Sequence, residues 1–574
     1  MVVGLLLRLA WRSWDAGTHL HPDERYMSIV ADNVRWPGSV GEYFDVEHSP
    51  LSPYNTEPGR SYLYGELPLF ATKLVATIFR QEGYGELYLV GRAVAAVVDA
   101  LSIVLVFVLA RMLLSGFREP LRDGGALLAA AFYACAVTAI QHAHFFTVES
   151  WLVFFTLVTF LVAAWIARRG SLGTVPVVAL GGAIGLTASV KVSGVLVGVA
   201  AAVALVAVAA RSPGPVAERL RRLLVAVLLL VGGAYVSFRL TSPYAFEHSN
   251  WLYIEPNEDL RRALSEQQRA LNGEGIAPPG YQWLLSQRIV DPLHDAVAWG
   301  VGWPLGIVAL CGLVYLAASL GRVRLLPGAR VLTTMLLAFV LLAFLYFGTL
   351  FVHSLRYVLP VIPFACVAAA VAVTALARRR AWLGVVVGAA VATATLLYAV
   401  AFVQIYRQPN TRVAATGWIE RTIPRGATIA NEHWDDALPV GAPPGLYELV
   451  EVPVFYPDDE KKLRELYNAL AAADVYVLSS PRAWKTIGRL PDRFPLMGRF
   501  YDALRSDKLG FREAARFEST PGLFGVHLDD LEAEEAFWVY DHAPVSIYRR
   551  SEAVDWTGFR AAVCGGEHSL PGCA

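Results

Sequence analysis

Apolar runs of membrane-crossing character recur ten times between residues 86 and 405. A helical span needs about 20 predominantly apolar residues. The segments 86–110, 124–141, 146–167, 173–190, 192–210, 222–240, 296–318, 331–351, 355–377 and 382–405 approach or exceed that length. Lipid cannot hydrogen-bond a bare backbone, so runs of this kind fold as helices. The N-terminal MVVGLLLRLAWRSW reads as the back half of an eleventh span, short enough to imply an incomplete N-terminus. It lacks the small-residue cleavage site of a signal peptide. The expected class is an α-helical polytopic membrane protein of about eleven spans. Charged residues are only 17% of the chain and apolar ones 55%, against ~25% charge in average globular chains, which excludes disorder. Lys+Arg and Asp+Glu are both 49, so the basic footprint of a nucleic-acid binder is missing.

Charge in the turns orients the ladder. Five turns on one side carry Arg111, Arg118 and Arg122; Arg168 and Arg169; Arg211, Arg219, Arg221 and Arg222; Arg322, Arg324 and Arg330; and Arg378, Arg379 and Arg380. On the other side Lys191 and Arg356 stand nearly alone. The positive-inside rule makes the arginine turns cytoplasmic. The segment 66–79, 14 residues with Lys73 in its middle, is too short to span and reads as an interfacial helix. All twelve histidines then fall on the outer side, while only Glu119, Asp123 and Glu218 are acids in cytoplasmic turns. Chemistry that needs carboxylates or imidazoles belongs on the outer face of the plasma (inner) membrane.

Residues 1–405 form the transmembrane domain, with outer segments 15–85 and 241–295, and 406–574 form an extracytoplasmic domain. In this tail QPNTRVAATGWIERTIP and DDEKKLRELYNALAAA read as helices, the first capped near Asn410 and stopped at Pro424. ATIANE and DVYVLSS read as strands, and FWVYDHAPVSIYRR as a hairpin-like pair turning at Asp541–Pro544. The tail is therefore expected to be a small α/β domain. Cys564 and Cys573, in CGGEHSLPGC, suit either a disulfide in an oxidising compartment or two free thiols; Cys135, Cys311 and Cys366 lie in apolar runs.

The strongest chemical cluster is His21-Pro22-Asp23-Glu24, after the first span. Adjacent carboxylates near low dielectric repel, which raises a pKa and makes a base; the plainer reading is an acidic helix start. Glu149, in HFFTVES, is an acid at the outer end of a span, where ionisable groups are functional by default; it also suits an N-terminal helix charge. Lys191 and the pair Arg356-Tyr357 suit an anionic phosphate or an interfacial anchor. Asp99 lies deep in 86–110, where a partner on a neighbouring helix suits it and no role is assigned. His142, His144, His48 and Glu57 are candidate metal ligands without a diagnostic spacing, so a divalent metal stays open and no other cofactor is required by any motif. Acids and cations on one face suggest group transfer from a phospholipid donor, with a carboxylate as general base and the cations on the departing phosphate.

HPDE, a long outer segment, GRAVAAVVDALSIVLVFVLAR, HFFTVESWLVFF, GLTASVK and LRYVLPVIP follow in order. Together they resemble bacterial members of the dolichyl-phosphate-mannose–protein mannosyltransferase family, of the C-type glycosyltransferase superfamily, to which the aminoarabinose transferases are related. The resemblance covers residues 1–405, and the tail also looks like that of bacterial relatives. It implies a polyprenyl-phosphate-sugar dependent hexosyl- or pentosyltransferase acting on a hydroxyl acceptor with inversion. Asp23 is its base, Glu24 and Glu149 are further catalytic acids, and Lys191, Arg356 and Tyr357 contact the donor phosphate. His21, Arg92 and His144 are assigned to substrate binding. The α/β tail departs from the β-trefoil of eukaryotic members, which leaves lipid, glycan and protein open as acceptors. The rival reading is a transporter or flippase of lipid-linked sugars, which calls for broken helices or an inverted repeat at the midplane; neither is visible in the sequence.

Overall fold

The computed structural model describes residues 1–321, 327–565 and 573; Arg322 and Arg324 of the fourth arginine turn lie outside these. Contacts divide the chain into two units: Met1–Arg12, Pro22–Asn272 and Gln287–Ala401 form the first, and Ser13–His21, Gly273–Ser286 and Phe402–Ala574 the second.

The first unit is helical. Among the described residues eight helices are long and apolar enough to cross a membrane: Tyr84–Leu113, Glu149–Arg169, Val192–Arg211, Val216–Thr241, Trp303–Leu320, Gly328–Thr349, Leu355–Arg379, and Ala381–Thr422, which opens with the helix Ala381–Val403. Thr174–Ala188 is a shorter apolar helix. The expected span 124–141 is a bent pair, Glu119–Ala134 and Val137–Ala143, meeting at 54°. The bend frees carbonyls that a straight helix would use. Arg8 takes two of them, donating from Nη1 to Ala134 O at 2.8 Å and from Nη2 to Tyr133 O at 3.3 Å. The same guanidinium pairs with Asp99 at 2.5 Å, and the Tyr133 hydroxyl donates to the other Asp99 oxygen at 2.5 Å. Asp99 thus has its partner on another helix, and the fully buried Arg8 anchors the short N-terminal helix Val2–Leu9.

Small residues set a close helix crossing. A Cβ at Gly181 would lie 2.2 Å from Leu230 O, and one at Gly185 would lie 2.3 Å from Ala234 O. The helices Thr174–Ala188 and Val216–Thr241 therefore meet backbone to backbone, as small-residue interfaces allow in lipid.

The second unit is a layered α/β domain. Strands β1 (Thr428–Glu432), β2 (Glu448–Val452), β3 (Val475–Leu478), β4 (Phe511–Phe517) and β7 (Val545–Arg550) form one sheet in the order β2-β1-β3-β7-β4; β5 (Gly522–Leu523) and β6 (Val526–His527) form a small ribbon. β1 runs parallel to β2 and β3, and β7 antiparallel to β3 and β4. Side chains alternate between two faces. Ile429, Val475, Val477 and Ile547 pack against Ala415 and Ile419 of helix Thr411–Thr422. On the opposite face Ala430, Tyr476 and Tyr548 pack with Leu463, Leu466 and Phe500 of helices Glu460–Ala472 and Pro495–Arg505.

The expected strands ATIANE and DVYVLSS are β1 and β3, and both expected helices form. Asn410 caps the first, its side chain accepting from Arg412 N at 2.8 Å. The hairpin-like pair does not form. Glu535–Trp538 is a helical turn, and β7 pairs with β3 and β4 instead. Phe537, Trp538 and Val539 are buried in succession, so burial overrides the β-propensity of FWVY. Cys564 and Cys573 form a disulfide.

Two buried polar knots hold this unit. His542 sits between Asp530 (2.8 Å) and Asp541 (2.6 Å). Despite its burial these carboxylates push its pKa up to about 10, so it is an imidazolium at neutral pH. Glu432, at the end of β1, accepts on one oxygen from the hydroxyls of Tyr476 (2.8 Å) and Tyr501 (2.9 Å), yet burial pushes its pKa up to about 8. The folded carboxyl therefore keeps a proton that the unfolded one releases near the ordinary value of 4.5. Stability must fall as pH rises between those two values. We expect the urea concentration at which the tail becomes protease-sensitive, in the full-length protein, to fall between pH 5 and 8. Glu432→Gln should flatten that slope, the full effect being of order a few kcal/mol; an equal slope in the variant refutes the assignment.

Candidate functional site

Asp23 and Glu24 open the helix Pro22–Asn33, where proline and acids suit the first turn. Consecutive helical residues point about 100° apart, from 3.6 residues per turn, so the two carboxylates face different surroundings. The repulsion expected of neighbours in sequence is replaced by two separate arginine pairs.

Glu24 is completely buried. Arg92 of helix Tyr84–Leu113 grips it with a fork, Nε to Oε2 at 2.8 Å and Nη2 to Oε1 at 2.5 Å. Phe146 N also donates to Oε2, at 2.7 Å. Arg92 donates further to Arg12 O at 2.6 Å and lies 4.7 Å from the centre of the Tyr88 ring. The ring of Phe146 rests on Gly91, where a Cβ would lie 2.1 Å from the ring. These bonds tie the first turn of Pro22–Asn33 to the stretch that leads into Glu149.

Asp23 turns the other way. Its Oδ2 accepts from Arg356 Nη1 at 2.5 Å, and 17% of its side chain remains exposed. Tyr64 also hydrogen-bonds Asp23. Burial, then the Asp23 and Glu149 carboxylates, push the Tyr64 phenol well above its usual pKa, with Arg356 pulling the other way, so Tyr64 is a donor at any physiological pH. Nothing in the sequence marks Tyr64: SYLYGE is one aromatic stretch among several.

Glu149 starts the helix Glu149–Arg169 and is nearly buried. Lys191 Nζ donates to its Oε1 at 3.3 Å. Lys191 has extended backbone just before the 3-10 turn Val192–Val197. The preceding residues are clamped by Gly65 N to Val190 O (3.0 Å) and Leu67 N to Ser189 O (3.2 Å). A Cβ at Gly65 would lie 1.9 Å from Ser189 O, so only glycine permits this contact. Tyr357 joins the two ion pairs: Lys191 Nζ is 5.2 Å and the Arg356 guanidinium 5.3 Å from its ring centre. Phe347 stacks on the same ring at 5.7 Å, and Phe347 also lines an apolar cleft with Leu152, Leu196 and Phe339.

The fold thus brings Asp23, Glu149, Lys191, Arg356 and Tyr357 into one cluster, with Glu24 and Arg92 paired in the core beside it. His144 is buried, its ring nitrogens against Ile140 O (2.8 Å) and Ala10 O (2.9 Å), where it ties a turn to the N-terminal segment. His21 belongs to the second unit, its ring 4.5 Å from that of Tyr540. Among the described residues no group of three His, Cys, Asp or Glu side chains converges to hold a metal ion. Of the candidate ligands, His48 sits with Asp45 and Glu57 with Arg60, at exposed positions.

No protein family and no curated protein matches the chain by sequence. Among solved structures the chain is similar to the oligosaccharyltransferase of Archaeoglobus fulgidus in its apo form, with a TM-score of 0.51 and 13% identity over 92% of this chain and 74% of that one. It also matches ArnT from Cupriavidus metallidurans bound to undecaprenyl phosphate, at a TM-score of 0.42 and 16% identity, over 73% of this chain and 72% of that one; that likeness is too loose to argue from. The first shows the fold alone: a bundle of apolar helices of the kind in that oligosaccharyltransferase, with a C-terminal sheet domain. With its apolar helices, the chain is a multi-pass membrane protein.

Proposed function

We propose that the protein is an integral membrane glycosyltransferase that moves a sugar from a polyprenyl-phosphate donor to a hydroxyl acceptor, on the extracytoplasmic face and with inversion. The observation that carries this reading is the cluster itself: a partly exposed carboxylate, Asp23, held against Arg356, with a second cation, Lys191, at the same Tyr357 ring. The arginine-rich turns support the outer placement, as does the Cys564–Cys573 disulfide. Membership of the protein mannosyltransferase-like branch is part of the same proposal and rests on the order of the motifs.

The donor phosphate takes Lys191 and Arg356. Arginine offers it a planar fork and lysine a point charge. Phosphate at Arg356 weakens that residue's hold on Asp23, and the added negative charge raises the affinity of Asp23 for a proton. The acceptor oxygen attacks the anomeric carbon from the face opposite the phosphate, and its proton passes to Asp23. The anomeric C–O bond breaks, the electron pair leaves on the phosphate, and the two cations stabilise it. Glu149 holds Lys191 in place. Glu24, Arg92 and His144, all buried and bonded within the fold, are positioning residues in this mechanism.

Removing the lysine charge tests the donor site. A charge-assisted hydrogen bond contributes about 1.5–3 kcal/mol, so Lys191→Ala should raise the donor KM about ten- to a hundredfold and weaken inhibition by polyprenyl phosphate equally. Steady-state transfer in phospholipid nanodiscs reads both. Unchanged inhibition would remove Lys191 from the phosphate site.

A further inference from the structure

In the second unit the helix Glu460–Ala472 packs over β1 and β2 and the helix Pro495–Arg505 reaches β4, and the two leave a gap over β7. The gap is a cavity of about 390 Å³, within the ~300–1,000 Å³ range of small-molecule sites. Its floor is the sheet, with Leu478, Ser546 and Tyr548 on it, and apolar wall comes from Pro481 and Pro544. Trp484 and Arg505 form one side and Glu513 of β4 another.

Two exposed charged groups line it. The Arg505 guanidinium lies 4.3 Å from the centre of the Trp484 ring. Among the described residues it has no hydrogen bond or ion pair, so its planar donor fork is fixed by stacking and open at its edge. Glu513 accepts from the Tyr548 hydroxyl and keeps lone pairs free. Glu513 and Arg505 do not pair with each other across the cavity. The other two charged linings, Arg516 and Asp507, face Glu518 and Arg512 respectively. A simple anion would meet Glu513, and a simple cation would meet Arg505. A ligand carrying hydroxyls that both accept and donate, on a ring with an apolar face, answers both charges and the apolar wall at once.

We propose that this cavity is a saccharide-binding site of one or two sugar rings, with Arg505 and Glu513 as its directional contacts. It shares no residue with the transfer cluster and goes beyond the transferase reading. The test is saturation-transfer NMR on the full-length protein in phospholipid nanodiscs, without maltoside detergent. The probes are methyl α-mannoside, methyl β-galactoside, N-acetylglucosamine and maltose. At least one should receive magnetisation. Arg505→Gln and Glu513→Gln should each cut that signal at least tenfold, with the melting temperature held as a folding control, while Asp23→Asn should leave it intact. Silence from all four probes overturns the proposal. So does a signal that survives both tail variants, or one that only inorganic phosphate produces. Loss of sugar transfer alone, with binding retained, would sink the transferase reading and leave this site standing.

Discussion

Asp23→Asn is expected to lower kcat for sugar transfer by about 10²–10⁴-fold, the usual contribution of a positioned base, with little change in donor KM. The amide is nearly isosteric and still accepts hydrogen bonds from Arg356 and Tyr64, the partners Asp23 has in the fold. What it cannot do is take the acceptor proton. Because the Asp23 side chain is partly exposed, the variant should fold and melt as the parent does. Tyr64→Phe removes one orienting bond and should cost far less, about tenfold. Full activity in Asp23→Asn would move the base to another carboxylate, with Glu149 next in line by position.

The second large effect lies on stability. Glu24→Ala takes from the buried Arg92 guanidinium its carboxylate partner and from Phe146 N its acceptor. Breaking a buried ion pair from one side costs about 3–5 kcal/mol, so yield and melting temperature should both drop sharply. Removing both charges together avoids the uncompensated ion and is often near neutral. Glu24→Leu with Arg92→Met should therefore recover most of the folded protein. The recovered protein should also transfer sugar, because Glu24 touches no reacting atom in this mechanism. A double variant that folds normally yet is inactive would return Glu24 to catalysis.

How much of this was legible in the sequence depends on the kind of signal. Apolar runs announce spans, and the fold agrees with them. It differs at 173–190, where the helix Thr174–Ala188 is shorter than a span, and at 124–141, where a buried arginine more than a hundred residues away takes the carbonyls at the break after Ala134. The helix expected over 66–79 is Glu66–Phe79. In the tail, β1 and β3 are buried centre strands and read plainly, whereas β2 and β4 were missed. They are the two edges of the sheet, ELVEV and FREAARF, with mostly exposed side chains. Edge strands carry charges where centre strands carry apolar residues, so no alternation marks them. At the site the sequence supplied the residue types but not the pairing. Asp23 and Arg356 are 333 positions apart, and Glu24 looked like Asp23's companion because adjacency in sequence hides the turn of a helix. Tyr64 had no marker at all.

Transfer from a polyprenyl-phosphate sugar through Asp23 is read most directly from the fate of the anomeric bond. Purified protein in nanodiscs is given a panel of polyprenyl-phosphate sugars labelled at the anomeric carbon, with and without hydroxyl acceptors, beside Asp23→Asn. Release of polyprenyl phosphate is expected with one donor class, together with a product of inverted anomeric configuration, and both are lost in the variant. Intact donor across the whole panel, with labelled lipid moving between leaflets instead, would contradict it and make the protein a transporter of lipid-linked sugars.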